Sequence, residues 1–236
     1  MTDLRVDSLS KRFGGLRVFQ DISFDLPSGG LLGVIGPNGA GKTTLINVIS
    51  GRQMASGGRV VLGDRDITNQ PAYAISRLGL ARSFQQTNTF KSVTVAENVA
   101  RAVRFGRRSA PAGLSAMLVD FGLAPRQQEI ADKLPYGLQK ILGLVMAFAI
   151  SPRILLLDEP AAGLERNERK IVDAFVHRVR ESGTSVLIVE HDMDLIRRLC
   201  PRILVLDAGT LLADGPPAEV LARPDVIAAY LGEEAA

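Results

Sequence analysis

The sequence predicts an α/β nucleotide-binding fold of the P-loop class, with a mixed or parallel sheet core, an N-terminal antiparallel β layer and a helical insertion. Three observations predict it. The run Gly36-Pro37-Asn38-Gly39-Ala40-Gly41-Lys42-Thr43-Thr44 follows the apolar stretch Leu31 to Ile35. Ile154 to Leu157, Ser185 to Val189 and Ile203 to Leu206 are short apolar runs separated by segments such as Glu168 to Arg180 with helical spacing, the pattern of buried parallel strands covered on both faces. Between Gln85 and Ile150 the texture changes: Val95 to Val103, Leu114 to Phe121 and Leu138 to Ile150 read as helices with no strand among them.

The first of these carries the most chemistry. The pattern G-x-x-x-x-G-K-[ST] sets small residues where backbone N–H groups curl around phosphate oxygens, a Lys that reaches the terminal phosphates, and a hydroxyl for Mg2+. Leu45, Ile46, Val48 and Ile49 recur at helical spacing, so a helix begins at Lys42 with its positive end toward the phosphates. A nucleoside triphosphate is the expected ligand. Upstream, Val18 to Leu26 and Arg59 to Leu62 have strand character and are bounded by Pro27-Ser28-Gly29-Gly30 and Gly63-Asp64, which predicts the antiparallel layer. From Pro216 onward the tail reads as short helices.

Ile154 to Leu157 ends in Asp158-Glu159-Pro160, and ligands of open α/β sheets sit at the carboxyl ends of strands. Asp158 is placed to hold Mg2+, and Glu159 to polarise an attacking water. His191 follows the buried run Ser185 to Val189 and Glu190, within reach of a γ-phosphate, whereas His177 lies mid-helix and reads as structural.

Composition bounds the alternatives. With 236 residues, 46% of them hydrophobic, the chain can bury a substantial core. A net charge of +3, with 28 Lys and Arg spread along the chain, gives no basic block of the kind that binds nucleic acid. Arg101, Arg104, Arg107 and Arg108 form a local cluster that reads as a solvated helix end, with acidic lipid or a partner as the alternative. Cys200 is the single cysteine, so no disulfide closes within the chain. The N-terminus has no signal-type apolar region, and the longest apolar run, Ile141 to Ile150, is far short of the roughly 20 residues that span a bilayer. A soluble, cytoplasmic protein is expected.

The order of phosphate loop, Ser83-Phe84-Gln85-Gln86, Leu134-Pro135-Tyr136-Gly137-Leu138-Gln139, Leu157-Asp158-Glu159-Pro160 and Glu190-His191-Asp192 resembles the ATP-binding subunits of ABC transporters over essentially the whole chain. Lys11 to Gly15, the Pro-Tyr-Gly of the signature, Asp158 to Leu164 and the tail Pro224 to Gly232 resemble the branched-chain amino acid importers, of the LivG type. The resemblance implies a single ATP-binding domain over 1–236, with a RecA-like core at about 1–85 and 151–236 and a helical subdomain at about 86–150.

It also implies roles. Phe13 would stack on adenine. Gly36, Pro37, Asn38, Gly39, Ala40, Gly41 and Lys42 would wrap the phosphates, Thr43 would ligate Mg2+ and Thr44 would support the phosphates. Gln85 would touch the metal and sense the membrane partner. Lys42, Glu159 and His191 would be catalytic. Leu134 to Gln139 would complete the site of a second ATPase subunit in trans, and the D-loop, Ala162, Gly163, Leu164 and Glu165, would cross to it. That second subunit would be a paralogue, or another copy in isolation. Two membrane permeases and an extracytoplasmic solute-binding protein would complete the assembly on the cytoplasmic face of the inner membrane, with no role for nucleic acid.

Four departures stand beside it. Pro135 replaces the Ser usual at the second signature position, Leu138 replaces Gln or Glu, and Glu165 stands where Asp or Asn is common; Gly137 still lets a backbone approach. Val99 to Lys133 is also short for a LivG-type subunit. Rival readings are an importer ATPase for urea, amides or aromatic acids, a regulatory ATP-binding subunit that leaves hydrolysis to its paralogue, and an ABC ATPase acting on nucleic acid. The last would need long coiled-coil, zinc or tandem insertions, and none is visible. A small-molecule kinase would leave the signature and His191 unexplained.

Overall fold

In the computed structural model, which describes residues 2–83, 89–106 and 109–234, the chain opens as a long hairpin, β1 (Thr2–Phe13) and β2 (Leu16–Pro27). Leu4, Val6, Leu9, Ile22, Phe24 and Leu26 are buried, while most of the residues between them face solvent, as in a half-covered antiparallel sheet. A register shift between Val6 and Leu9 keeps Leu9 inward across the extra residue.

After β3 (Leu31–Ile35) and α1 (Lys42–Ile49), the chain returns to this layer as β4 (Gly57–Leu62) and β5 (Arg65–Asp66), giving the order β2-β1-β4-β5. The two strands legible in the sequence therefore do not pair with each other. β1 separates them, and its interspersed Arg5, Asp7, Lys11 and Arg12 dilute the apolar signal that would have marked it.

Next come α2 (Ala72–Arg77) and β6 (Leu80–Arg82), then α3 (Val95–Gly106), α4 (Leu114–Asp120) and α5 (Tyr136–Ala149), with short 3-10 turns at Ala124–Arg126 and Ala131–Lys133. α5 packs on α3, α4, α6 and β6. It starts two residues before the expected Leu138, with Pro135 as its N-cap at φ −51, a position that asks for no N–H from proline.

The chain then alternates through β7 (Ile154–Asp158), α6 (Arg166–Glu181), β8 (Ser185–Val189), α7 (Met193–Leu199) and β9 (Arg202–Asp207). A tight turn at Ala208-Gly209 leads to β10 (Thr210–Gly215), followed by α8 (Pro217–Val220) and α9 (Pro224–Glu234). The central sheet has the order β10-β9-β3-β8-β7-β6, parallel except for β10 at its edge. β6 and β10 escape sequence inspection because one is three residues long and the other alternates with polar residues.

Each central strand is buried along both faces. Ile154 and Leu156 of β7 pack into the core shared with α1 and the antiparallel layer, whereas Leu155 and Leu157 join the core under α5, α6 and α7. Cys200, the cap of α7, is buried and its thiol is pushed up to about 12 by desolvation. At pH 8 native protein should therefore be inert to a disulfide-exchange reagent, and denaturant should release one thiol per chain, read by absorbance.

Candidate nucleotide site

β3, β8 and β7 are neighbours in the sheet, so their carboxyl ends bring three sequence-distant segments to one edge. The first is the phosphate loop. Gly36 has φ +149, and a Cβ there would collide with the Leu206 carbonyl, so this position admits only glycine. Lys42 is buried and its ammonium donates to the carbonyls of Gly36 (2.6 Å) and Pro37 (2.8 Å), drawing the side chain back over the loop. Asn38 and Gly39 are exposed at the rim, and Thr43 and Thr44 are half-buried in the first turn of α1. Gly41 caps α1 with no side-chain acceptor, so the first N–H groups of this helix can serve an anion.

Asp158 closes β7 and is 1% exposed. Its Oδ2 accepts from Arg82 Nη2 at 2.7 Å, while its Oδ1 is buried without a hydrogen-bond partner. Burial pushes this carboxyl above its ordinary value, and the Arg82 guanidinium pulls it back. A buried carboxylate oxygen left without a donor fits a small hard cation. Among the described residues no group of three or more His, Cys, Asp and Glu could hold a metal ion.

Glu159 adopts φ +48, the left-handed region that is uncommon for any residue carrying a Cβ. Its N–H donates to Val189 O at 2.9 Å and its carbonyl accepts from Lys140 Nζ at 3.2 Å, which together hold it there. Its carboxylate lies 4.0 Å from His191 Nδ1, and the His191 side chain is 62% exposed. Two carboxylates at successive positions thus differ: Asp158 is locked in an ion pair, and Glu159 reaches the surface beside an imidazole. His177 sits on the exposed side of α6.

Glu190, which the sequence reading passes over, is buried; desolvation raises its carboxyl, and it accepts from Ala161 N (2.8 Å) and His191 N (3.2 Å). It thereby ties the backbone just after β7 to the end of β8. Lys140 is a second such strut, a buried ammonium donating to the carbonyls of Glu159 and Ala162. Its sequence signal was available: it is the one charged residue in the otherwise apolar α5.

Residues 134–139 pack against residues 162–165 of the same chain. The Tyr136 ring faces Gly163, and Arg169 links Leu164 O to Asp192. Pro135 and Tyr136 are exposed, but Leu134 is buried and Gln139 folds back to Leu134 O at 2.9 Å. In this structure Gly137 is covered by a side chain of α6. Glu168, whose Oε2 also accepts the Glu165 N–H at 3.0 Å in the capping box of α6, packs its carboxylate where a Gly137 Cβ would stand. Leu138 is half-buried against the helical core.

Phe13 ends β1, 46% exposed, with the Lys11 ammonium 4.3 Å from its ring centroid. Gln85 lies outside the described residues, as do Arg107 and Arg108; Arg101 and Arg104 both pair with Glu97. Separately, a groove of about 610 Å³ runs between β6 and α5, lined by Tyr73, Phe90, Phe105, Leu144 and Met146 with Arg52 and Arg101 beside them.

Comparison with known proteins agrees with this geometry. Residues 19–162 match the family described as ABC transporter, and residues 210–236 that described as branched-chain amino acid ATP-binding cassette transporter. The chain is 36% identical to the high-affinity branched-chain amino acid transport ATP-binding protein LivG of Salmonella typhimurium, over 98% of both chains. It is 35% identical to BraF of Pseudomonas aeruginosa, described in the same terms, again over 98% of both. Among solved structures, the ADP conformation of an ATP-binding cassette of an ABC transporter superposes with a TM-score of 0.87 at 28% identity, covering 98% of this chain and 99% of that one. A nucleotide-free cassette superposes with a TM-score of 0.86 at 26% identity and the same coverage.

Lys42→Ala removes the one ammonium inside the loop, and equilibrium binding of labelled ATP should weaken by roughly 10- to 100-fold, the size of a charge-assisted hydrogen bond. Gly36→Ala should instead destabilise the fold itself, by about 2 kcal/mol or more in denaturant titration.

Proposed function

The chain belongs to the ABC transporter family of ATP-binding subunits, in the branch of branched-chain amino acid transport ATP-binding proteins, and from that membership we propose that it energises import of branched-chain amino acids. It is an ATP hydrolase coupled to transport. The observation that carries the residue roles is the meeting of the phosphate loop, Glu159 and His191 at the carboxyl ends of adjacent strands.

In this reading Phe13 stacks on the base, the loop from Gly36 to Thr44 wraps the phosphates, and Lys42 leaves its carbonyl partners for the terminal phosphates. Asp158, Thr43 and Gln85 would hold Mg2+, which would supply positive charge against the phosphates. Glu159 accepts a hydrogen bond from the attacking water, aligning it with the γ-phosphorus, and His191 donates to the γ-phosphate as charge builds on its oxygens. The strained backbone at Glu159 aims the carboxylate outward, where water can reach it.

Residues 134–139 and the D-loop, 162–165, face a second ATP-binding subunit, so that each nucleotide lies between two chains. For residues 134–139 to reach a phosphate there, Glu168 must move off Gly137. The core and the helical subdomain, 86–150, then close and open about the nucleotide, and differential binding to the closed state is what moves the membrane partners.

Among the described residues no helix is long and apolar enough to cross a membrane. In this reading, contact with the membrane comes through two permease subunits, on the cytoplasmic face, with an extracytoplasmic binding protein delivering solute. The groove between β6 and α5 suits a short amphipathic permease helix, its apolar side against Tyr73, Phe90 and Phe105 and its acidic side toward Arg52 and Arg101.

Glu159→Gln should lower turnover by roughly 100-fold or more while retaining ATP affinity and trapping a dimer on size exclusion; unchanged hydrolysis would remove Glu159 from its role. The solute is tested by co-purifying the permeases and binding protein. Titration calorimetry on that binding protein should give heat with leucine, isoleucine or valine and none with urea or amides.

A further inference from the structure

Arg82, at the end of β6, is absorbed by none of the roles above. Its guanidinium is 8% exposed and spans two elements of the site: Nη2 donates to Asp158 Oδ2 at 2.7 Å, and Nη1 donates to Asn47 Oδ1 at 2.6 Å on α1, with Ser50 Oγ at 3.4 Å. We propose that Arg82 is a positioning residue for the metal: it holds the Asp158 carboxylate by one oxygen so that the other stays turned toward the cation, and it fixes that carboxylate relative to the helix bearing Thr43.

Three features point this way. The contact uses Oδ2 and leaves Oδ1 buried and unpartnered, so the pair still lacks a positive or donating group at that oxygen. A buried ion pair is also a weak source of stability, because desolving both charges offsets their attraction. Finally, the bridge to Asn47 joins β7 to α1, the two elements whose relative placement decides whether a carboxylate and a hydroxyl can share one ion. This is the arrangement by which outer partners orient metal ligands. Arg82 also lines the groove between β6 and α5, so a single side chain stands between that groove and Asp158.

The inference rests on the reading of Asp158 as a metal ligand, and the test separates the two. The quantity to measure is the ratio of ATP dissociation constants without and with Mg2+, from labelled ATP in EDTA and in excess Mg2+; by linkage it reports how well the protein and nucleotide share the metal. Asp158→Asn should collapse the ratio. A ratio unaltered in that variant overturns the metal reading itself.

With that control behaving, Arg82→Met should lower the ratio about tenfold, the scale of outer-partner losses at metal sites, with ATP affinity in EDTA unchanged. Removing a cation by itself would favour a divalent ion, so loss of orientation and loss of repulsion predict opposite signs. Arg82→Lys keeps the charge but cannot reach both partners, and should restore part of the ratio. Asn47→Leu removes the α1 end of the bridge and should lower the ratio less than Arg82→Met. An unchanged or raised ratio in Arg82→Met overturns the inference. Should that variant fail to fold, wild-type ratios in both Arg82→Lys and Asn47→Leu overturn it equally.

Discussion

The parallel ladder joining β3, β8 and β7 is the constraint on which the rest of the site depends. Val34 pairs with Val189, and Asp158 pairs with the same residue from the other side. Parallel strands in register end together, so the loop after β3, the carboxylates after β7 and the imidazole after β8 emerge side by side. The ladder also continues past the strand ends: Glu159 N donates to Val189 O, and Glu190 N to Val34 O at 3.3 Å. A slip of one residue in either pairing would turn Asp158 to the opposite face and dismantle the site without disturbing a single motif.

Around that ladder, buried charged groups act as struts between elements that apolar packing alone would leave free to slide. Arg82 joins β6, β7 and α1; Lys140 joins α5 to the backbone after β7; Glu190 joins that same backbone to β8. Apolar contact is non-directional, whereas a buried ion or ammonium must find partners at hydrogen-bond geometry or pay a desolvation penalty. The strained φ of Glu159 is tolerable because the ladder bond to Val189 holds its N–H and the Lys140 strut its C=O. They also place α5, the helix that carries residues 136–139, in direct mechanical contact with Glu159.

Much of this was legible beforehand. The phosphate loop, the Asp158-Glu159 pair and the strand before His191 are local patterns, and local patterns survive in a single sequence. β1, β6 and β10 were not, since an edge or half-covered strand carries charge on one side and a three-residue strand has no period to detect. Arg82 and Lys140 belong to the same blind spot: an isolated basic residue in an apolar context reads as a solvated side chain until its partners, 76 positions away for Arg82 and 19 for Lys140, are known.

The amino-acid sequence determined the class of fold, the triphosphate loop, the order of acidic and imidazole groups and the family to which they belong, because each rests on residue type at short spacing. Only the tertiary structure decided that Asp158 is held by Arg82, that Glu168 packs over Gly137, and that Glu159 is pinned in a left-handed conformation by Lys140 and Val189. These are contacts between segments remote along the chain, set by which strand lies beside which and how helices close over them, and no local spacing records that choice.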